Sequence, residues 1–177
     1  MEHWNYALCN PRDNDGAKLF LLNRSKTLVT VHKRLKYDPV QLFKRLESVN
    51  FPFRFTDGLE KIHFTIIPKS TAGYYVDNKI WVDVSQNGLD WAFETFIHEV
   101  GHHVDEEEAV ASFLHDERLK RSKYMHEIFS KRSDDEYLAT GFEWFYSENH
   151  ERKRALRKRT PLLYRAIQML HRDYHRK

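Results

Sequence analysis

The chain has 177 residues, one cysteine, six glycines, five prolines and a net charge of +3. That length can bury a real core and fits one domain over 1–177. The lone Cys9 excludes an internal disulfide framework and a cysteine-based zinc site. No run of eighteen apolar residues occurs, so no membrane span is expected.

The opening "MEHWNYALCN" has neither a basic n-region nor an apolar h-region. It does not read as a secretory signal, and a cytoplasmic location is expected, with non-classical export or a mature secreted domain as other routes. Residues 1–17 are polar and turn-rich and are expected to be poorly ordered. "KLFLL" and "TLVTV" can form short strands. "YDPVQLFKRLESVN" predicts a helix with Asp38 at the N-cap, Pro39 in the first turn, and Val40, Phe43, Leu46 and Val49 at helical spacing. "KIHFTIIP" is β-branched and apolar and predicts a strand. "YYVDNKIWVDVS" predicts a hairpin, because Asp77-Asn78 tolerate positive φ and Ile80, Val82 and Val84 alternate with Trp81 and Asp83.

After "NGLD", Asp90 is expected to cap a helix whose buried stripe is Phe93, Phe96 or Ile97, Val100 and Val104. Glu106–Lys131 is charged and expected to be helical. A further helix is expected from Asp134, with Leu138, Phe142 and Phe145 apolar, and Thr160-Pro161 restarts a last helix. A helix, then strands in a small antiparallel or mixed sheet, then helices gives an α+β fold.

The stretch "FETFIHEVGHHVDEE" holds His98, Glu99 and His102 as H-E-x-x-H. Histidines four apart on a helix project from one face and can reach one ion. A Glu after the first His points to the open side of that ion, where it can hold and deprotonate the attacking water. Catalytic zinc takes three protein ligands and leaves one position open. Gly101 lies between the paired histidines, where a missing side chain permits close helix packing; it costs about 1 kcal/mol against Ala in a helix interior. His103, about 100° further round the helix from His102, is not expected to reach the same ion. The bland alternative is a charged surface helix that happens to spell the motif.

A third ligand must come from elsewhere. Glu106, Glu107 and Glu108 follow on the same or a continuing helix and cannot easily fold back over the ion. Glu136 and Glu143 lie on the next long helix. Here "FIHEVGHHVD" and "EYLATGFEWFYSENHERKRALRKRTP" resemble the catalytic domain of anthrax lethal factor and the related Pro-Pro endopeptidases, over roughly residues 60–175. The resemblance implies a zincin-like fold and a gluzincin: a Zn2+ endopeptidase acting on a protein or peptide, with His98, His102 and Glu136 as metal ligands and Glu99 as general base. It also implies that the strand around Ile80–Val84 is the edge that pairs with an extended substrate.

The chain departs from the family twice. Relatives carry a second acidic residue one turn after the ligand Glu, where this chain has Thr140; that implies a weaker shell around the metal. They also place an oxyanion-stabilising tyrosine about two turns before that Glu, where this chain has Phe129. Tyr124 is the nearest upstream tyrosine and the candidate for that role, with His126 as a substitute. Glu136 has another reading as well: Ser133-x-x-Glu136 spells a helix capping box, which would leave Glu143 as the ligand.

Two other functions compete. From His150 to Lys177 there are ten Lys or Arg against Glu151 and Asp173, so a nucleic-acid-binding protein is one alternative. The usual explanation of "HERKRALRKRT" is a solvated helix. The other alternative is an inactive zinc-bound interaction domain.

Overall fold

Residues 6–9, 18–22, 27–68, 71–85, 88–121 and 132–176 are described by the computed structural model. Among the described residues six strands form one mixed sheet: β1 (Tyr6–Cys9), β2 (Lys18–Leu22), β3 (Leu28–Val31), β4 (Lys61–Thr65), β5 (Gly73–Val76) and β6 (Lys79–Asp83), in the order β1-β2-β3-β4-β6-β5. Tyr6–Cys9 lies within the stretch expected to be poorly ordered, yet it pairs with β2 along its whole length. Period-2 alternation drives the central strands inward, burying Val29, Val31, Ile62, Phe64, Ile80 and Val82.

The sheet is mixed, within the antiparallel or mixed sheet that was expected. β3 pairs with β4, and β4 with β6, in parallel. The first parallel pair follows from the crossover through α1 (Pro39–Ser48), because parallel neighbours cannot be joined by a tight turn. Asp38 caps that helix as expected, accepting from the Val40 N–H at 3.0 Å. The hairpin also forms, with φ of 49° at Asp77 and 58° at Asn78. Its placement corrects the substrate-edge assignment. β6 lies between β4 and β5, so Ile80–Val84 is interior and β5 forms the edge.

The motif helix is α2 (Leu89–Glu108). Its N-cap is Gly88, not Asp90; Asp90 sits in the first turn and its carboxylate pairs with Arg45 at 2.5 Å. Phe93, Phe96, Ile97, Val100 and Val104 are all buried, so the stripe has the expected phase. The charged helix expected over 106–131 is corrected over its described part. Ala109 takes left-handed φ (51°) and Asp105 accepts from the Ala111 N–H, turning the chain after Glu108. A 3-10 turn (Ala111–Leu114) and α3 (His115–Arg121) follow.

Three helices complete the described chain: α4 (Asp134–Tyr146), α5 (His150–Arg159) and α6 (Pro161–Arg176). The chain breaks between α4 and α5 at Ser147–Asn149, where the Asn149 side chain caps α5 by accepting from the Glu151 and Arg152 N–H groups. α2 packs on α4 at very close range. A Cβ on Gly101 would lie 2.7 Å from the Cα of Ala139 and 3.3 Å from the Cβ of Phe142. The glycine in the motif therefore sets the separation of the two helices that carry the candidate site. The architecture is α+β: a mixed sheet with helices sharing one hydrophobic core.

Candidate metal centre

α2 presents His98, Glu99 and His102 from one face, and α4 presents Asp135, Glu136, Thr140 and Glu143 opposite them. Nε2 of His98 lies 3.3 Å from Oε2 of Glu136, and Nε2 of His102 lies 3.9 Å from the same oxygen. One ligand atom from each of the three residues falls within 4.8 Å of the others. Glu136 Oε2 is buried and has no hydrogen-bond partner among the described residues. A buried carboxylate oxygen without a donor is costly. Facing two imidazole nitrogens, it fits a divalent cation of the zinc type, and a His/His/Glu set is a donor set that zinc accepts.

The capping-box reading of Glu136 is not met. Ser133 is the N-cap of α4, but its side chain makes no capping hydrogen bond. Glu143 lies on the other side of the His98 ring, with Oε2 3.7 Å from Nδ1. Asp135 sits 3.6 Å from His102 Nδ1 in the same relation. Both imidazoles thus have a carboxylate behind the nitrogen that faces away from Glu136, at ion-pair rather than hydrogen-bond distance, in the place that orienting carboxylates take in metal sites. The acidic residue expected one turn after Glu136 is Thr140, which is buried. Its place in the surrounding shell is filled by Glu143 and Asp135.

Charge follows this geometry. Burial pushes His98 down, but the carboxylates of Glu136 and Glu143 outweigh it and raise it to about 10. Glu136 is lowered, first by its contact with the His98 ring. His102 is lowered, by burial and by the charge on His98. The site demands positive charge. Glu99 is 5% exposed, and burial lifts its carboxyl to about 7 against the pull of His98. A group titrating there can both take and return a proton near neutral pH.

Glu99 abuts the edge strand: a Cβ on Gly73 would stand 3.0 Å from Glu99 Oε1. Tyr75, two residues on, is tied to α2 through its hydroxyl, which donates to the Glu106 carboxylate and lies 3.2 Å from His103 Nδ1. His103 is buried, and its Nε2 lies 2.8 Å from the Asp57 carbonyl oxygen. It is a satisfied core histidine. β5, α2 and α4 enclose a cleft of about 900 Å³ with Trp91 at one end and Glu106 near the other.

The described residues bring together His98, Glu99, His102 and Glu136. Tyr124, His126 and Phe129 lie outside them. The pattern of the sequence did not single out Asp135 or Arg152. Asp135 adjoins the expected ligand, and Arg152 was hidden in a basic run; its guanidinium holds Glu143 at 2.9 Å and Glu94 at 3.0 Å. No protein-family model matches the chain, and no curated protein matches it.

Proposed function

We propose that the protein is a zinc-dependent endopeptidase of the gluzincin type, hydrolysing a peptide bond in a protein or peptide. The proposal rests on the convergence of His98, His102 and Glu136 at an open cleft with Glu99 beside them. The resemblance of the two motif blocks to the lethal-factor and Pro-Pro endopeptidase domains supports the same reading.

His98, His102 and Glu136 would hold the zinc, which supplies a Lewis acid for water and for the scissile carbonyl. Glu99 takes the proton of the attacking water and returns it to the leaving amine nitrogen. Its burial keeps that proton exchange close to neutral pH. Glu143 and Asp135 orient the two imidazoles. β5 is the sheet edge beside Glu99, so an extended peptide adds to Gly73–Val76 by main-chain hydrogen bonds. Tyr124 is proposed as the oxyanion donor on the strength of the resemblance.

The test is a peptide-library digestion read by mass spectrometry, with and without a chelator, alongside elemental analysis of the purified protein. One zinc per chain and chelator-sensitive cleavage are expected. Glu99→Gln should keep the zinc and the fold and lose most turnover, since it removes a base and not a ligand. Full activity in that variant, or no bound zinc in the wild-type protein, ends the peptidase proposal.

A further inference from the structure

The basic run of α5 divides into two faces. Arg152 turns inward to Glu143 and Glu94. Lys153, Arg154, Arg157 and Lys158 stand at i, i+1, i+4 and i+5, on one side of the helix. All four line a pocket of about 730 Å³, separate from the metal centre's cleft, which Arg152 lines from the other side of α5. Lys153 lies near the Glu148 carboxylate and helps to lower it, but no acidic side chain lines the pocket. Like charges four apart on a helix repel, and this face holds two such pairs, Lys153 with Arg157 and Arg154 with Lys158.

The rest of the pocket is aromatic. Phe145 and Tyr164 are half-buried there, their ring centroids 5.5 Å apart. His171 also lines it. Burial, with His175 and Arg172 nearby, pushes His171 down to about 4, so its ring is neutral. Its Nδ1 lies 2.9 Å from the hydroxyl of Tyr146. With that hydroxyl donating, the ring proton sits on Nε2 and is available as a donor. Volumes of this order hold a drug-sized ligand. Clustered Lys and Arg suit phosphate oxygens, and aromatic faces suit a planar base.

We infer that the α5–α6 pocket, with Lys153, Arg154, Arg157 and Lys158 over Phe145 and Tyr164, is a binding site for a nucleotide: a multiply charged phosphate carried on a planar ring. The phosphates lie along the cationic face of α5 and the base against the two rings. This site is independent of the peptidase proposal, and either can fail alone.

The experiment is calorimetric titration of the 177-residue protein, after treatment with a chelator and its removal, with ATP at moderate salt, and with AMP, tripolyphosphate and a series of single-stranded DNA oligomers as comparison probes. Saturable 1:1 binding of ATP is expected, with AMP weaker for want of charge and tripolyphosphate weaker for want of a ring. Arg154→Glu and Arg157→Glu change exposed side chains and should each weaken ATP by about tenfold or more, through loss of a charge-assisted contact. Tyr164→Ala should weaken ATP and leave tripolyphosphate unchanged. Three results overturn the inference: no saturable ATP binding; tripolyphosphate binding as tightly as ATP with Tyr164→Ala silent; or DNA bound far more tightly than ATP with affinity growing with length. The last would make the face a nucleic-acid surface.

Discussion

Gly101→Ala tests the link from packing to the metal centre without touching a ligand or a charge. The added Cβ would meet the Cα of Ala139 at 2.7 Å and its Cβ at 3.3 Å. Carbon atoms in comfortable contact stand ~3.5–4.0 Å apart. The first obstacle is backbone and cannot rotate away, so α2 and α4 must part by about 1 Å. Alanine gains about 1 kcal/mol over glycine in helix propensity, while overpacking costs typically ~1–3 kcal/mol. With backbone as the obstacle, we expect the upper part of that range and a net loss of ~1–2 kcal/mol. For a chain of this size that lowers Tm by roughly 2–8 °C. The metal centre should suffer more. Ligand distances tolerate about ±0.2 Å, and the parting of the helices carries Glu136 away from both histidines. Zinc affinity should therefore fall by more than about tenfold, as a lost ligand contact worth ~1.4 kcal/mol would require. Thermal melting of the chelated protein and a competition titration with a zinc chromophore read the two effects separately. Gly88→Ala, where a Cβ meets nothing within 4 Å, measures a glycine-to-alanine change without overpacking, the weaker N-cap costing it up to about 1 kcal/mol. A Gly101→Ala protein that melts at or above the wild-type temperature and binds zinc equally well would refute the packing account.

Glu136→Gln should weaken zinc binding severely and abolish cleavage, whereas Glu143→Gln, behind His98 Nδ1, should cost about 10–100-fold in affinity as orienting carboxylates do. The reverse ranking in the same titration would move the third ligand to Glu143. The carboxylates hold His98 protonated up to about 10 in the metal-free protein. That ion pairing stabilises the metal-free fold in full below the ordinary imidazole value and fades as pH rises through about 10; zinc uptake must displace the same proton. Apparent zinc affinity should thus rise with pH across the neutral range, by about tenfold per unit for each proton released, and a flat profile would contradict it. Tyr124→Phe should lower kcat by about 10²–10³ if that residue is the oxyanion donor; an unchanged kcat would shift attention to His126.

The elements nearest the motif were the most legible. α2 shows its stripe at Phe93, Phe96, Ile97, Val100 and Val104 because helical period and burial agree there. Asp38 and the Asp77-Asn78 turn were readable because each is a local device: a side chain bonded two residues on, and a pair that tolerates positive φ. What failed was non-local. Nothing within "KIWVD" says that its neighbours are β4 and β5, so the edge was assigned to the wrong strand of a correctly read hairpin. Asp90 looks like a cap in sequence, but Arg45 on α1 holds its carboxylate and Gly88 begins the helix. Ser133 to Glu136 spells a capping box that does not form, because the Glu136 side chain is turned toward the two histidines.

The two histidines of the centre are supported unequally, and the difference lies in α5. Asp135, behind His102, is half exposed, and no ion pair with a guanidinium holds it among the described residues. Glu143, behind His98, is largely buried and held by Arg152, which also holds Glu94. Glu94 comes from α2, Glu143 from α4 and Arg152 from α5, so one guanidinium ties together three helices. Two carboxylates share that single cation, leaving one net negative charge beside the His98 ring. Such a charge makes the imidazole a stronger donor to a metal and fixes which nitrogen faces it. The basic run therefore serves the interior at one position, where Arg152 completes the support of His98. Lys153, Arg154, Arg157 and Lys158 follow on the outer face, take no part in that support, and form the face from which the nucleotide site is inferred.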